Sequence, residues 1–132
     1  MPSTLPILSI NHVARNTKHL EEARAFYRDV LGFREIPRPN FNFAGAWLYN
    51  YGVQIHLIVD DAMPDAQGPI STRAEHLALQ VNDLETAERI LNERGIPFKK
   101  NYVPERNVTQ LFFHDPDGHH IEIGNYPPTQ EA

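Results

Sequence analysis

A strand, helix, strand, strand, strand pattern can be read twice along this chain. Matching positions in its first parts lie 64 residues apart: His12 with His76, Leu20 with Leu84 and Ala23 with Ala87. Toward the ends of the two copies the spacing is 66, matching Gly52 with Gly118 and His56 with Glu122. A repeat of this length marks a supersecondary unit that buries its apolar face by combining with a like unit. The expected architecture is therefore α+β: two tandem βαβββ modules. Module one covers about residues 7–60, a linker about 61–72, and module two about 73–126. At 132 residues, both modules fit in a single domain spanning 1–132.

Residue patterning supports each copy. Ile7 to Arg15 alternates as a strand that contains His12. Asn16-Thr17 offers a cap, and Leu20, Ala23, Phe26, Tyr27, Val30 and Leu31 recur at helical spacing until Gly32. Phe33 to Ile36, Phe41 to Tyr49 and Val53 to Val59 follow as strands, the last carrying His56. In the second copy Glu75 to Val81 is a strand with His76. Asn82-Asp83 then precedes a helix with Leu84, Ala87, Ile90 and Leu91 on one face. Ile96 to Lys100 reads as a strand and Tyr102 to Asn107 as a polar loop.

The last segment, QLFFHDPDGHHIEIGN from Gln110 to Asn125, is the strongest local signal. An apolar run, an Asp-Pro-Asp-Gly turn and an alternating run make a hairpin. Within its second strand Ile121 and Ile123 share one face, while His120 and Glu122 share the other. A carboxylate held away from water needs a cation or hydrogen-bond donors.

Composition narrows the function classes. A formal charge of −5 and a pI near 5.7 give no basic patch for nucleic acid or an anionic membrane surface. The absence of cysteine excludes disulfides, thiolate metal sites and a thiol nucleophile. Met1 to Ser9 lacks a basic start and a long apolar core, and no apolar run approaches a membrane span. A cytoplasmic enzyme or small-molecule binder is expected.

The repeat also matches polar residues. His12 and His76 fall in the first strands of their modules, and His56 and Glu122 in the last. Imidazoles and carboxylates are ordinary ligands of divalent transition metals, so His12, His56, His76 and Glu122 form a candidate metal set around one central ion. Nickel, cobalt, manganese, iron and zinc all suit such donors.

These features are similar to those of the vicinal oxygen chelate superfamily, which includes glyoxalase I, fosfomycin-resistance transferases, methylmalonyl-CoA epimerase, extradiol dioxygenases and bleomycin-resistance binders. The resemblance rests on INHVARNTKHLEEARAFYRDVLGF, GVQIHLIV, EHLALQVNDLETAERILNERG and FFHDPDGHHIEIGN, and it covers nearly the whole chain. It implies that the two modules form a cupped mixed sheet around a central metal site, with metal ligands at His12, His56, His76 and Glu122, a homodimer, and a glyoxalase I-like reaction. In that reaction the metal binds adjacent substrate oxygens and Glu122 shuttles the proton, on a substrate such as a glutathione adduct. Glyoxalase I commonly has glutamate where His56 stands, arginine where Asn16 stands and asparagine where Asp60 stands. The last two changes remove residues typical of glutathione-carboxylate binding, and Asp60 would repel a carboxylate.

Other reactions within the resemblance are a fosfomycin-type thiol transfer and an Fe(II) extradiol-type ring cleavage by two histidines and one carboxylate. The non-enzyme reading is a drug-sequestering binding protein. Phe41, Phe43, Trp47, Tyr49 and Tyr102 are candidates for an apolar pocket or core, and Arg38, Arg73, Lys99 and Arg106 for anion contacts or solvated surface. Of the remaining histidines, His114 stands beside the hairpin turn, His120 is a candidate neighbour of the ligand set, and His119 is expected to be exposed.

Overall fold

In the computed structural model, which describes residues 3–65 and 68–130, the chain divides into two units, Met1–Met63 and Pro64–Ala132. Met1 and Pro2 of the leader, and Ala66 and Gln67 of the expected linker, lie outside the described residues.

In the first unit β1 is His12–Thr17, α1 is Leu20–Ala25, β2 is Arg34–Ile36, β3 is Gly45–Asn50 and β4 is Val53–Val59. A π-helical turn, Phe26–Val30, extends α1. The sheet order is β1-β4-β3-β2; β1 runs parallel to β4, and β3 is antiparallel to both its neighbours. The helical spacing buries Ala23, Phe26 and Tyr27, and α1 packs on β3 and β4. Alternation in β4 sends Ile55 and Leu57 into the core, at 0% and 1% exposure, and Gln54 and His56 to the opposite face. His12, Ala14 and Asn16 are the exposed set of β1.

Two strands are shorter than their patterns predict. The apolar alternation starts at Ile7, yet β1 starts at His12, because its parallel register with β4 begins at His12↔Gln54, just after the Tyr51-Gly52 turn. Among the described residues Ile7 to Ile10 lie in no strand, and Leu8 is 99% exposed. Likewise β3 starts at Gly45, whose partner Ile58 is near the end of β4; Phe41 and Phe43 stack on each other instead, 5.2 Å between ring centroids. At the start of α1 the expected Asn16-Thr17 cap shifts: His19 is the cap residue without a side-chain bond, and Thr17 Oγ1 accepts from the His19 amide.

In the second unit β5 is His76–Gln80, α2 is Leu84–Glu93, β6 is Lys99–Val103, β7 is Val108–His114 and β8 is His120–Gly124. Its order, β5-β8-β7-β6 with β5 parallel to β8, reproduces that of the first sheet. Both units are thus βαβββ, and the α+β class of two mixed four-stranded sheets holds. Asp83 caps α2, accepting from the Thr86 amide at 3.0 Å. The strand expected at Ile96–Lys100 lies three residues later, because the Pro104–Asn107 turn, with Asn107 at φ 52°, sets the pairing from Val103↔Val108 to Lys99↔Phe112.

The Asp-Pro-Asp-Gly hairpin forms as its residues dictate. Asp115 Oδ1 accepts from the amides of Asp117 and His119, and Gly118 takes φ 88°, a conformation that disfavours a side chain. The register that follows, His114↔His120, Phe112↔Glu122 and Gln110↔Gly124, places Leu111, Phe113, Ile121 and Ile123 on one face. Leu111 and Ile121 are fully buried there, and Phe113 is 1% exposed. His120, Glu122 and Gly124 take the other face, beside His76, Ala78 and Gln80 of β5.

Candidate functional site

The four residues marked by the repeat come together as two pairs, one in each unit. In the first unit, β1 and β4 bring the rings of His12 and His56 into a parallel stack, 3.9 Å between centroids. Trp47, opposite His56 across the β3–β4 register, stacks on it at 4.1 Å. Sandwiched this way, His56 is 8% exposed. Burial first, then the nearby charges of His12 and Arg38, pull its pKa below the ordinary histidine value, so it is held neutral. Its Nε2 donates to Gln54 Oε1 at 2.8 Å. His12 donates from Nδ1 to Asn11 Oδ1 at 2.7 Å, which leaves its Nε2 lone pair unengaged by that bond.

In the second unit His76 donates from Nδ1 to the Ala74 carbonyl at 2.8 Å and turns Nε2 to Glu122 Oε1 at 3.0 Å. Glu122 is 5% exposed. Its other oxygen, Oε2, accepts from Gln110 Nε2 at 3.3 Å and from the Tyr126 hydroxyl. Gln110 is itself oriented by Asn101, whose amide donates to Gln110 Oε1 at 2.7 Å. Burial, followed by the bond to Glu122, pushes the Tyr126 phenol far above its ordinary pKa, so it acts as a donor. The two donors to this carboxylate, Gln110 and Tyr126, also line a cavity of about 510 Å³ together with Val103, Arg106, Val108 and Pro127 among others; Glu122 itself is not in its wall.

Of the remaining histidines, His120 is buried, and its Nε2 accepts from the Ser71 amide at 2.9 Å. Burial, then the charges of His114, His76 and His119, lower its pKa, in keeping with the neutral ring this bond requires. His114 Nε2 lies 3.2 Å from the same nitrogen. His119, expected to be exposed, is half-buried because its amide is drawn into the Asp115 turn. Phe41 tilts against Trp47, and Arg38 lies over the rings of Phe41 and Phe43. Tyr102 is 55% exposed and donates to Asn107.

Each pair offers donors of the kind a divalent ion takes. In the first-strand histidines, His12 and His76, Nδ1 is tied to an oxygen just upstream, the arrangement that orients an imidazole to ligate through Nε2. With its proton on Nδ1, a neutral His76 faces Glu122 acceptor to acceptor, a contact that calls for a proton or a cation between them. Two ligands that each stand about 2.1 Å from one ion, at right angles, are about 3 Å apart. Ligation by His56 through Nε2 would replace its bond to Gln54. Among the described residues no group of three or more His, Asp or Glu side chains is gathered as a metal site, so the pairs are what each unit presents by itself.

Gln110 and Tyr126 lie outside the residues that the repeat marks, although strand parity carries a signal for both. Gln110 shares the face of Phe112, and Tyr126 continues the series Glu122, Gly124, Tyr126.

A protein from Arabidopsis thaliana named Glyoxylase I 4 is 39% identical over 127 residues, 92% of this chain and 72% of that protein. A Metallothiol transferase FosB from Lysinibacillus sphaericus is 26% identical, covering 90% of this chain and 83% of its own. The crystal structure of a glyoxalase family protein from Bacillus anthracis superposes with a TM-score of 0.73 at 26% identity, over 96% of this chain and 100% of that one. The profile of one family matches residues 9–123, nearly the full repeat, and the chain belongs to that family, the Glyoxalase/Bleomycin resistance protein/Dioxygenase superfamily.

Proposed function

We propose that this protein is a divalent-metal-dependent enzyme of glyoxalase I-like type that isomerises a small substrate with two adjacent oxygens. In this reading His12, His56, His76 and Glu122 are the metal ligands, and Glu122 is also the base. The observation that carries it is the facing of His76 Nε2 and Glu122 Oε1 at 3.0 Å, with His76 Nδ1 already committed to Ala74. A bound nickel, cobalt, manganese, iron or zinc ion would supply Lewis-acid polarisation of the two substrate oxygens.

The chain's own residues do the rest. His12 and His76, with Nδ1 tied, present Nε2, and His56 is kept in the neutral form that ligation requires. Glu122 takes a proton from the carbon beside the substrate carbonyl and returns it to the neighbouring carbon, a transfer that suits a buried carboxylate oriented by neighbouring donors. The cavity of about 510 Å³ walled in part by its donors Gln110 and Tyr126 has room for a small substrate. Likeness to a protein named Glyoxylase I 4 supports the reaction class. With Asn16 and Asp60 at the positions where glyoxalase I commonly has arginine and asparagine, a glutathione adduct is one substrate to test beside other small vicinal-oxygen compounds. The enzyme acts in the cytoplasm as a homodimer.

The test is metal analysis of tag-free protein, re-addition of each of the five ions, and a methylglyoxal–glutathione assay with Glu122→Gln as control. About one ion per chain, turnover restored by it, and loss of turnover in the variant are expected. Bound metal without turnover on this or other vicinal-oxygen substrates would overturn the isomerase reading. Likeness to a metallothiol transferase makes thiol transfer the reaction to assay next. Failure of every ion to bind would overturn the metal site.

A further inference from the structure

Beyond the ligand set, β8 continues into a segment built to bring one phenol onto Glu122. Asn125 Oδ1 accepts from the Thr109 amide at 2.9 Å, and Gln80 Nε2 donates to the Tyr126 carbonyl at 3.1 Å, so both residues after β8 are anchored to the sheet. Between them and Glu122 lies Gly124. A methyl group built on its Cα would stand 2.6 Å from Tyr126 Cζ and 2.8 Å from its hydroxyl, so the tyrosine ring occupies the space a side chain would need. No positive φ is required at Gly124; what excludes larger residues there is the ring itself. Folded back over Gly124, Tyr126 donates to Glu122 Oε2 and also lines the cavity.

We propose that Tyr126, seated on Gly124, is the positioning residue of Glu122: its hydroxyl, with Gln110, holds Oε2 and thereby turns Oε1 toward His76. The inference rests on the reading of Glu122 as a metal ligand and base, and it adds the device that selects which oxygen serves. Two donors on one oxygen fix the carboxylate's rotation about its last bond. Partners of a ligand that lie outside the metal's own coordination commonly change metal affinity 10- to 100-fold when removed, roughly the size to expect here. Gly124 acts one step further out, by leaving the ring its seat.

Tyr126→Phe keeps the ring and removes the hydroxyl, and Gly124→Ala keeps the hydroxyl and displaces the ring. Both are compared with the wild-type protein by Co(II) titration, by the visible spectrum of the bound Co(II), and by the carboxyl carbon resonance of Glu122 in the metal-free protein, assigned with Glu122→Gln. Each variant is expected to bind Co(II) about tenfold more weakly, to alter the spectrum and to shift the Glu122 resonance. The double variant should be no weaker than either single one, since both break the same contact. Unchanged affinity and spectrum in Tyr126→Phe would overturn the proposal. If wild type takes up no Co(II), the metal reading falls by itself and the Glu122 resonance decides: moved by both variants, the positioning role stands; unmoved, it is overturned.

Discussion

The two units share a topology and a sheet order but surround their polar pairs differently. In the first, His56 is clamped between two flat rings, His12 and Trp47, and its hydrogen-bond partner is a neutral amide. In the second, Glu122 is a buried carboxylate with one oxygen facing an imidazole and the other receiving two donors. Matching positions in one shared topology therefore carry different chemistry in the two units. One unit holds its imidazoles by stacking, and the other surrounds a carboxylate with the hydrogen bonds that orient it.

This division of labour can be broken by experiment. On the proposed reading, Glu122→Gln lowers turnover by about 10²–10⁴-fold, the range for a lost general base, whereas His56→Gln shows its effect mainly as weaker metal binding. Equal losses of turnover with metal saturating would show that the units do not divide the work. Next in size are Leu48→Ala and Leu111→Ala, at fully buried core positions of the first and second sheets. Each should destabilise by roughly 2–5 kcal/mol, and calorimetry would show whether one transition shifts with both variants or each shifts a transition of its own.

A smaller effect is the dependence on pH. His56 and His120 both have pKa values below that of an unfolded-chain histidine, so between the two values the unfolded state binds more protons. Their contribution is complete above about pH 6.5 and declines as pH falls below it. Thermal midpoints of the metal-free protein from pH 8 to pH 5 should fall, and less steeply in His56→Gln or His120→Gln; a slope unchanged in both would contradict the neutral assignment. The smallest contrast lies at the helix starts. Asp83→Ala removes a cap and should lower the midpoint by a few degrees, while His19→Ala, at a cap position with no side-chain bond, should leave it almost unchanged.

How far these features were legible in the sequence depended on whether neighbours in the chain or partners in the sheet decide them. The hairpin around Asp115 to Gly118 was legible because its turn chemistry is local, and so was α2 with its Asp83 cap. The true start of β1 was not, since apolar alternation from Ile7 says nothing about where β4 begins. Strand parity put His120 and Glu122 on one face, but the donors to Glu122 come from β7 and from beyond β8. Finding them required the register Gln110↔Gly124 and the seating of a tyrosine ring over a glycine. Trp47 stacked on His56 escaped for the same reason, being set by pairing between β3 and β4.

That stack has an optical consequence. Trp47 is the chain's single tryptophan, and its indole lies 4.1 Å, nearly parallel, from the imidazole of His56. An imidazolium in contact quenches indole emission more strongly than a neutral ring does, and turning the imidazole toward an ion would change the contact. The protein therefore carries its own fluorophore against one candidate ligand, so the state of His56 can be followed by emission without a label, a substrate or a change to the chain.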